Sequence, residues 1–215
     1  MNWMKKVAVA LVCLLPLGLQ AAKIDTLQVK SPSMNKSIEV VVVSPDVAAT
    51  KACPVIYLLH GYGGNACTWV GIKPDLPKIA DEKGIFFVCP DGKNTWYWDS
   101  PLNADVRYET FISNELVKYV DSHYKTVADR KGRAITGLSM GGHGAMWNAF
   151  VIAMFSTAAG STSGGRGYPP FPENWEMSVQ IGEKAKYPEN WEKYTVINLV
   201  PTLRKDQIAL IFDCR

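Results

Sequence analysis

The sequence is poor in the features that mark metal, nucleic-acid and membrane proteins. It has three histidines and five cysteines in 215 residues, and none of their spacings resembles a zinc site. Basic and acidic residues nearly balance, 23 against 20, so there is neither a basic stripe for nucleic acid nor a charged tail. Beyond the N-terminus, no apolar run reaches the length that spans a bilayer. We therefore predict no metal, no cofactor and no nucleic-acid partner.

The N-terminal segment has the pattern of a targeting signal. Lys5 and Lys6 precede an apolar run over 7–19, and small residues follow at Ala21 and Ala22. A basic start, a short apolar core and a small-residue cleavage site are typical of a secretory signal peptide. We predict a signal peptide over 1–22 and one domain over 23–215, secreted or periplasmic in a bacterium and free of the membrane after cleavage.

Cysteine usage leaves the redox state of the exported domain open. Cys13 lies within the predicted signal, and four cysteines remain. Export to an oxidising compartment permits disulfides. However, Cys89 and Cys214 lie in apolar, strand-like runs, where buried free thiols acting as small hydrophobes are common. Free thiols are the favoured prediction, and any disulfide pairing stays undetermined.

Hydrophobic patterning predicts an α/β fold. Short apolar runs predict strands over 37–44, 54–59, 85–89, 133–137, 155–161 and 208–212. Helical spacing predicts helices over 75–83, 108–124 and 139–154. This alternation implies a doubly wound, mostly parallel sheet covered on both faces. A Pro- and Trp-bearing stretch over 164–203 predicts a cap-like excursion over the carboxyl edge of the sheet.

The most informative motif is Gly137-Leu138-Ser139-Met140-Gly141, which follows a β-prone run and opens a helix-like segment. A Gly-x-Ser-x-Gly turn between strand and helix is the nucleophile elbow of hydrolases, and its glycines are needed because the turn leaves no room for β-carbons. The alternative is an ordinary glycine-rich turn. The context favours the elbow, with Ser139 as the catalytic nucleophile.

A second glycine-rich loop supports the same chemistry. His60-Gly61-Tyr62-Gly63-Gly64 directly follows an apolar strand, where such a fold places a second amide donor for the oxyanion. We predict that the backbone amides of Tyr62 and Met140 form the oxyanion hole. Preorganised donors of this kind contribute about 2.7–4 kcal/mol each in the transition state.

Ordered blocks along the chain resemble the putative-esterase family of α/β-hydrolases. These blocks are 57–65, 90–92, 96–101, 108–111, 136–142, 159–165 and 211–214. The family includes feruloyl and acetyl xylan esterases, S-formylglutathione hydrolases and mycolyltransferases. The likeness to its secreted bacterial feruloyl-esterase branch implies the α/β-hydrolase fold, with Ser139 as nucleophile.

The resemblance also implies elements for which this sequence has no counterpart. In the family pattern, a triad acid, a further strand, a histidine loop and a closing helix follow the block that ends here at Asp213-Cys214, where Arg215 is the last residue. We therefore predict a C-terminally incomplete hydrolase that lacks the last strand and helix. Loss of the base from a serine triad lowers the rate on the order of 10⁶-fold.

The three histidines are poor replacements for the missing base. His60 lies in the oxyanion loop and is expected to shape its turn. His123 closes a surface helix, where solvation is expected. His143 lies four residues after Ser139, so its ring is expected to point along the helix rather than across the cleft.

Aromatic and acidic residues near the motifs suggest a substrate site. Trp98, Asp99 and Trp69 are candidate substrate-binding residues, because aromatic faces stack on sugars and phenolic acyl groups. The alternative is packing beneath a long loop.

We predict an exported serine carboxylesterase that acts on feruloyl- or acetyl-type esters of polysaccharides, or on similar small esters, through an acyl-enzyme. The alternatives are a catalytically dead remnant or carbohydrate-binding pseudoenzyme, and an acyltransferase of the mycolyltransferase type. Oligomeric state stays open.

Overall fold

A computed structural model describes residues 22–152, 155–164 and 174–213. Its strands form one sheet in the order β1-β2-β4-β3-β5-β6-β7. The strands are β1 (Lys23–Ser31), β2 (Lys36–Ser44), β3 (Val55–Leu59), β4 (Phe86–Pro90), β5 (Arg133–Gly137), β6 (Ala158–Thr162) and β7 (Ala209–Asp213). The α-helices are α1 (Thr68–Ile72), α2 (Leu76–Lys83), α3 (Tyr108–Thr110), α4 (Val117–His123), α5 (Met140–Val151), α6 (Met177–Ile181) and α7 (Pro188–Lys193), and a π-helical stretch, Phe111–Leu116, joins α3 to α4.

The sheet is mostly parallel. β1 pairs with β2 and β2 with β4 in antiparallel fashion, whereas the pairs β4–β3, β3–β5, β5–β6 and β6–β7 are parallel. Parallel strands bring their carboxyl ends to one edge of a sheet, where ligands of such folds bind. The loops after β3, β4, β5 and β6 therefore meet at one edge.

Helices cover both faces of the sheet, as the apolar strand sequences require. One face packs Val55, Tyr57 and Ile135 against α5 and the 108–123 helical segment. The other face packs Leu58 and Phe87 against α2. The predicted doubly wound α/β class is confirmed.

The predicted elements differ from the structure mainly at their ends and in one strand. Strand 133–137 is found with its predicted bounds. The helix that follows the elbow, α5, ends at Val151, short of the predicted 154. Strand β1 was not predicted. The strand predicted over 155–161 begins at Ala158, because the Phe155 amide donates a hydrogen bond to the Ile152 carbonyl and holds Phe155 in a turn.

The described part of the excursion, 174–203, packs on the loop that follows β4. Trp96 Nε1 donates to the Trp175 carbonyl at 3.0 Å, and Ser100 Oγ donates to the Gln180 carbonyl at 2.6 Å. Residues 165–173 of the predicted excursion lie outside the described residues. Its function as a cap stays a prediction.

The cysteines of the described chain are reduced. Cys53 and Cys89 are buried free thiols, and Cys67 is an exposed free thiol. Burial raises the pKa of the Cys89 thiol well above its usual range, so it remains a protonated, apolar group. Cys214 and residues 1–21 of the predicted signal peptide lie outside the described residues.

Candidate active site

Ser139 lies at a strained turn between β5 and α5. Its backbone has φ +53° and ψ −115°, a region that costs a non-glycine residue on the order of 1–3 kcal/mol. A β-carbon at Gly137 would lie 2.3 Å from the Gly141 carbonyl carbon, and one at Gly141 would lie 2.2 Å from the Leu59 carbonyl oxygen. The crossing of β3, β5 and α5 therefore admits only glycine on either side of the serine.

The turn exposes Ser139 to solvent at the carboxyl edge of the sheet. Its amide donates to the Thr162 carbonyl at 2.8 Å, and its carbonyl accepts from the His143 amide at 3.0 Å as α5 begins. The serine thus stands at the N-terminus of a 12-residue helix, where the helix dipole favours developing negative charge.

The glycine loop after β3 lies against this turn. A β-carbon at Gly61 would be 3.3 Å from the Leu138 carbonyl oxygen and 3.6 Å from Ser139 Cβ. The loop is closed by the Gly64 amide, which donates to the Gly61 carbonyl at 3.0 Å. The Gly63 amide donates to Asn94 Oδ1 at 2.9 Å, which ties the loop to the segment after β4.

The two predicted oxyanion donors belong to the two segments that meet at the serine, the glycine loop and the start of α5. Met140 is the first residue of α5, and Tyr62 follows Gly61 in the glycine loop. Neither backbone amide donates to an acceptor among the described residues. Backbone amides are normally paired when a protein leaves no water or ligand beside them, so these two are available to a ligand at this edge.

His60 supports the glycine loop through both nitrogens of its ring. The buried ring donates from Nδ1 to the Gly61 carbonyl at 2.7 Å, and Nε2 accepts from the Gly92 amide at 2.9 Å. These partners assign the neutral tautomer protonated at Nδ1. The expected role of His60 in shaping the turn agrees with these bonds.

Asp91 adds a negative charge beside that ring. Its Oδ1 lies 3.5 Å from His60 Nε2, and its Oδ2 lies 2.6 Å from Lys93 Nζ. Burial alone would raise the pKa of Asp91, but the hydrogen bonds from the amide and the ammonium of Lys93 hold that pKa well below its usual range. Since Nε2 already accepts from Gly92, Lys93 is the dominant charge partner of the carboxylate.

The other two histidines lie in different environments. His123 is exposed on α4 and stacks on Tyr119 with ring centroids 3.9 Å apart. His143 is buried in α5, and its ring lies edge-on to Trp96 and Trp98 at 5.3 and 5.2 Å. The ring of His143 therefore packs into an aromatic cluster beside the elbow helix.

Trp98 and Asp99, two of the candidate substrate-binding residues, make their contacts within the protein. Trp98 is 2% exposed and packs against Trp147 and Tyr194 as well as His143. Asp99 accepts from the Thr110 amide at 3.0 Å and from its hydroxyl at 2.6 Å, so its carboxylate caps the start of the 108–123 helical segment. Of the two interpretations of Trp98, these contacts favour packing; its role in substrate binding stays a prediction.

Trp69 lies on the opposite side of the sheet from this cluster. It packs against the core between the sheet and α2. Its part in substrate binding likewise stays a prediction.

Within the described ranges, no group of three or more His, Cys, Asp or Glu side chains could hold a metal ion.

Sequence reasoning did not anticipate the hydrogen bond between Glu109 and Trp147. Trp147 Nε1 donates to Glu109 Oε2 at 2.7 Å, which joins α5 to α3 beside the aromatic cluster. Burial raises the pKa of Glu109 above its ordinary value, and the Trp147 bond opposes that rise. No local sequence signal pairs these two residues, which are 38 positions apart.

A strained, exposed serine at a strand-to-helix turn beside a glycine loop defines the α/β-hydrolase class. The family model described as "Putative esterase" matches residues 31–165. The chain belongs to this esterase family.

The chain is also similar to particular esterases. It is 28% identical over 144 residues to an esterase of Mycobacterium tuberculosis, covering 64% of this chain and 31% of that protein. It is 32% identical over 94 residues to an acetyl esterase of Caldicellulosiruptor saccharolyticus, covering 43% and 34%. A solved ferulic acid esterase superimposes with a TM-score of 0.72 and 25% identity, covering 90% of this chain and 79% of the other. The chain spans about a third of the length of these two curated relatives.

None of the described helices combines the length and the apolar character needed to cross a membrane.

Proposed function

We propose that this chain carries the nucleophile and oxyanion hole of an exported serine carboxylesterase. The observation that supports this most strongly is Ser139, exposed on left-handed backbone at the N-terminus of α5. The strain of that conformation is the cost of presenting a hydroxyl above a packed sheet.

In the proposed reaction, Ser139 Oγ attacks the acyl carbon of an ester. The oxygen of the carbonyl takes up negative charge and accepts hydrogen bonds from the amides of Tyr62 and Met140. Collapse of this intermediate breaks the ester C–O bond, and the alcohol leaves with the proton that Ser139 Oγ gave up on attack. Water then attacks the acyl-enzyme, releases the carboxylic acid and restores the serine.

The proposed substrates are feruloyl- or acetyl-type esters of polysaccharides, or similar small esters. This class is supported by the similarity to an acetyl esterase and to a ferulic acid esterase. Export by the 1–22 segment would bring such an enzyme to extracellular or periplasmic substrates.

A catalytically dead remnant is the second proposal, because the histidines of the described chain have other surroundings than the Ser139 hydroxyl. His60 has both ring nitrogens engaged by backbone groups, and His123 lies on an exposed helix. Neither is placed to take the proton of Ser139. Without a base, about 10³–10⁴-fold catalysis over water would be left from the oxyanion hole and binding.

Covalent labelling separates the two proposals. A fluorophosphonate probe should modify Ser139, as mapped by peptide mass spectrometry, in the parent chain and in Ser122→Ala. Ser139→Ala should abolish the label. Ser122 is the matched control because it is an exposed serine on α4, remote in sequence from the elbow. No label on Ser139 in the folded parent chain would overturn the esterase proposal in favour of the remnant.

A further inference from the structure

Tyr97 adopts a backbone conformation that its residue type disfavours. Trp96 and Tyr97 have φ of +59° and +61°, so two consecutive large aromatic residues lie in the left-handed region. Neither is a glycine or asparagine, for which this region is easily reached. Strain of this kind persists only where the surrounding structure over-determines it.

The ring of Tyr97 is wedged between two glycines from different parts of the site. A β-carbon at Gly92, after β4, would lie 2.1 Å from Tyr97 Cε1. A β-carbon at Gly144, in the second turn of α5, would lie 2.4 Å from Tyr97 Cδ2. Tyr97 itself is fully buried, so the ring has no alternative place without moving one of these segments.

The hydroxyl at the end of this ring holds the oxyanion loop. Tyr97 Oη donates to the His60 carbonyl at 3.0 Å, and the two rings contact edge-on with centroids 5.7 Å apart. Burial raises the pKa of the Tyr97 phenol far above its usual value, so the group keeps its proton and remains a donor. The His60 carbonyl belongs to the peptide that leads into Gly61 and Tyr62.

Two independent anchors therefore fix the same residue. The His60 ring is bound by the Gly92 amide, and the His60 carbonyl is bound by the Tyr97 phenol. Gly92 also forms one wall of the Tyr97 slot. The loop after β4 thus holds both the side chain and the backbone of the residue that begins the glycine loop.

We propose that Tyr97 is a positioning residue whose phenolic hydroxyl, through the His60 carbonyl, fixes the glycine loop so that the Tyr62 amide faces Ser139. This inference rests on the proposed function for its catalytic consequence. Its structural part, that the hydroxyl orders the loop, stands without it. A purely packing role would require the ring of Tyr97 and not its oxygen.

Tyr97→Phe tests the oxygen alone, since it keeps the ring. Tyr57→Phe is a matched control, because Tyr57 is also fully buried and its hydroxyl bonds no described residue. Amide hydrogen exchange over 58–66 is measured on both variants and the parent, together with kcat and KM for p-nitrophenyl acetate.

We expect Tyr97→Phe to speed exchange in 58–66 and to lower kcat about tenfold with KM little changed, as for a loosened oxyanion donor. Tyr57→Phe should match the parent in both measurements. Unchanged exchange in Tyr97→Phe would overturn the proposal whether or not the chain turns over ester. Faster exchange with an unchanged kcat would overturn its catalytic part. A parent chain with no turnover would fail the proposed function, and exchange alone would then decide whether Tyr97 orders the loop.

Discussion

The amide of Ser139 donates to the carbonyl of Thr162 at 2.8 Å, so the elbow is tied to the end of β6 as well as to β5. This bond is possible because Leu138, directly after β5, forms a parallel bridge with Thr162, the last residue of β6. The position of the serine therefore depends on the close crossing of neighbouring strands with α5.

Gly141→Ala should destabilise the fold and abolish covalent labelling of Ser139. Its β-carbon would meet the Leu59 carbonyl oxygen at 2.2 Å, a backbone atom that cannot move away cheaply. Overpacking of this kind costs about 1–3 kcal/mol or more, measured as the free energy of unfolding in urea. Gly71→Ala is the control, because no atom lies within 4 Å of its β-carbon and it lies in α1. Equal stability of the two variants would contradict the tight crossing.

Stability should decline in acid through Asp91. Its pKa is held low in the folded chain, whereas an unfolded aspartate titrates near pH 4. The ionised group therefore favours the folded state fully above about pH 4, and this contribution is lost as the pH falls toward the folded-state pKa.

Urea unfolding of the parent and of Asp91→Asn between about pH 2 and pH 7 checks this. The variant should be less stable at neutral pH and should lose less stability below about pH 4. Asp105→Asn, at an exposed position, should follow the parent curve. If Asp91→Asn also follows the parent curve, the carboxylate does not carry this pH dependence.

Trp98→Ala should act on stability rather than on substrate affinity. The side chain is buried among aromatic rings, and removing a buried tryptophan costs about 3–5 kcal/mol. Ile72→Ala, at a position 56% exposed at the end of α1, should change stability by about 0.5 kcal/mol or less. A Trp98 variant that keeps its thermal midpoint but raises KM for a feruloyl ester would instead support the stacking interpretation.

Ile211→Lys should reduce self-association of the 215-residue chain. Strand β7 lies at the end of the strand order, and Ile211 is 73% exposed on it. An exposed apolar edge strand templates pairing with other chains, and a lysine disfavours it. Light scattering should show fewer aggregates for Ile211→Lys than for Val179→Lys, which changes an equally apolar residue, 65% exposed, on a helix. Equal scattering by both variants would show that the edge is not the source.

The central strands of the sheet could be predicted from the sequence, whereas the edge strand β1 could not. Strands β3 and β4 were predictable because their residues are apolar on both faces, as in a covered central strand. Strand β5 was predictable because it leads directly into the Gly-x-Ser-x-Gly turn. Strand β1 alternates residues such as Asp25 and Gln28 with apolar ones at one edge of the sheet, a weaker pattern that was not recognised. The π-helical stretch Phe111–Leu116 lies within a correctly predicted helical region, but its hydrogen-bond register left no mark in the side-chain spacing.

The candidate site divides in the same way. Ser139 and its glycines could be predicted because the elbow demands those residue types in sequence order. The left-handed backbone of Trp96 and Tyr97 could not, because no glycine occupies either position and the Tyr97 ring packs against Gly144, which is distant in sequence. The buried state of Trp98 depends on Tyr194 and Trp147, contacts that only the folded chain brings together.

Whether Ser139 is the nucleophile is tested most directly by measuring the mass of the protein after a rapid acid quench of its reaction with p-nitrophenyl acetate. We expect one acetyl group per chain, located on Ser139 by peptide mapping and lost in Ser139→Ala. A folded chain that gains no acetyl group, or gains it equally in Ser139→Ala, would contradict Ser139 as the nucleophile.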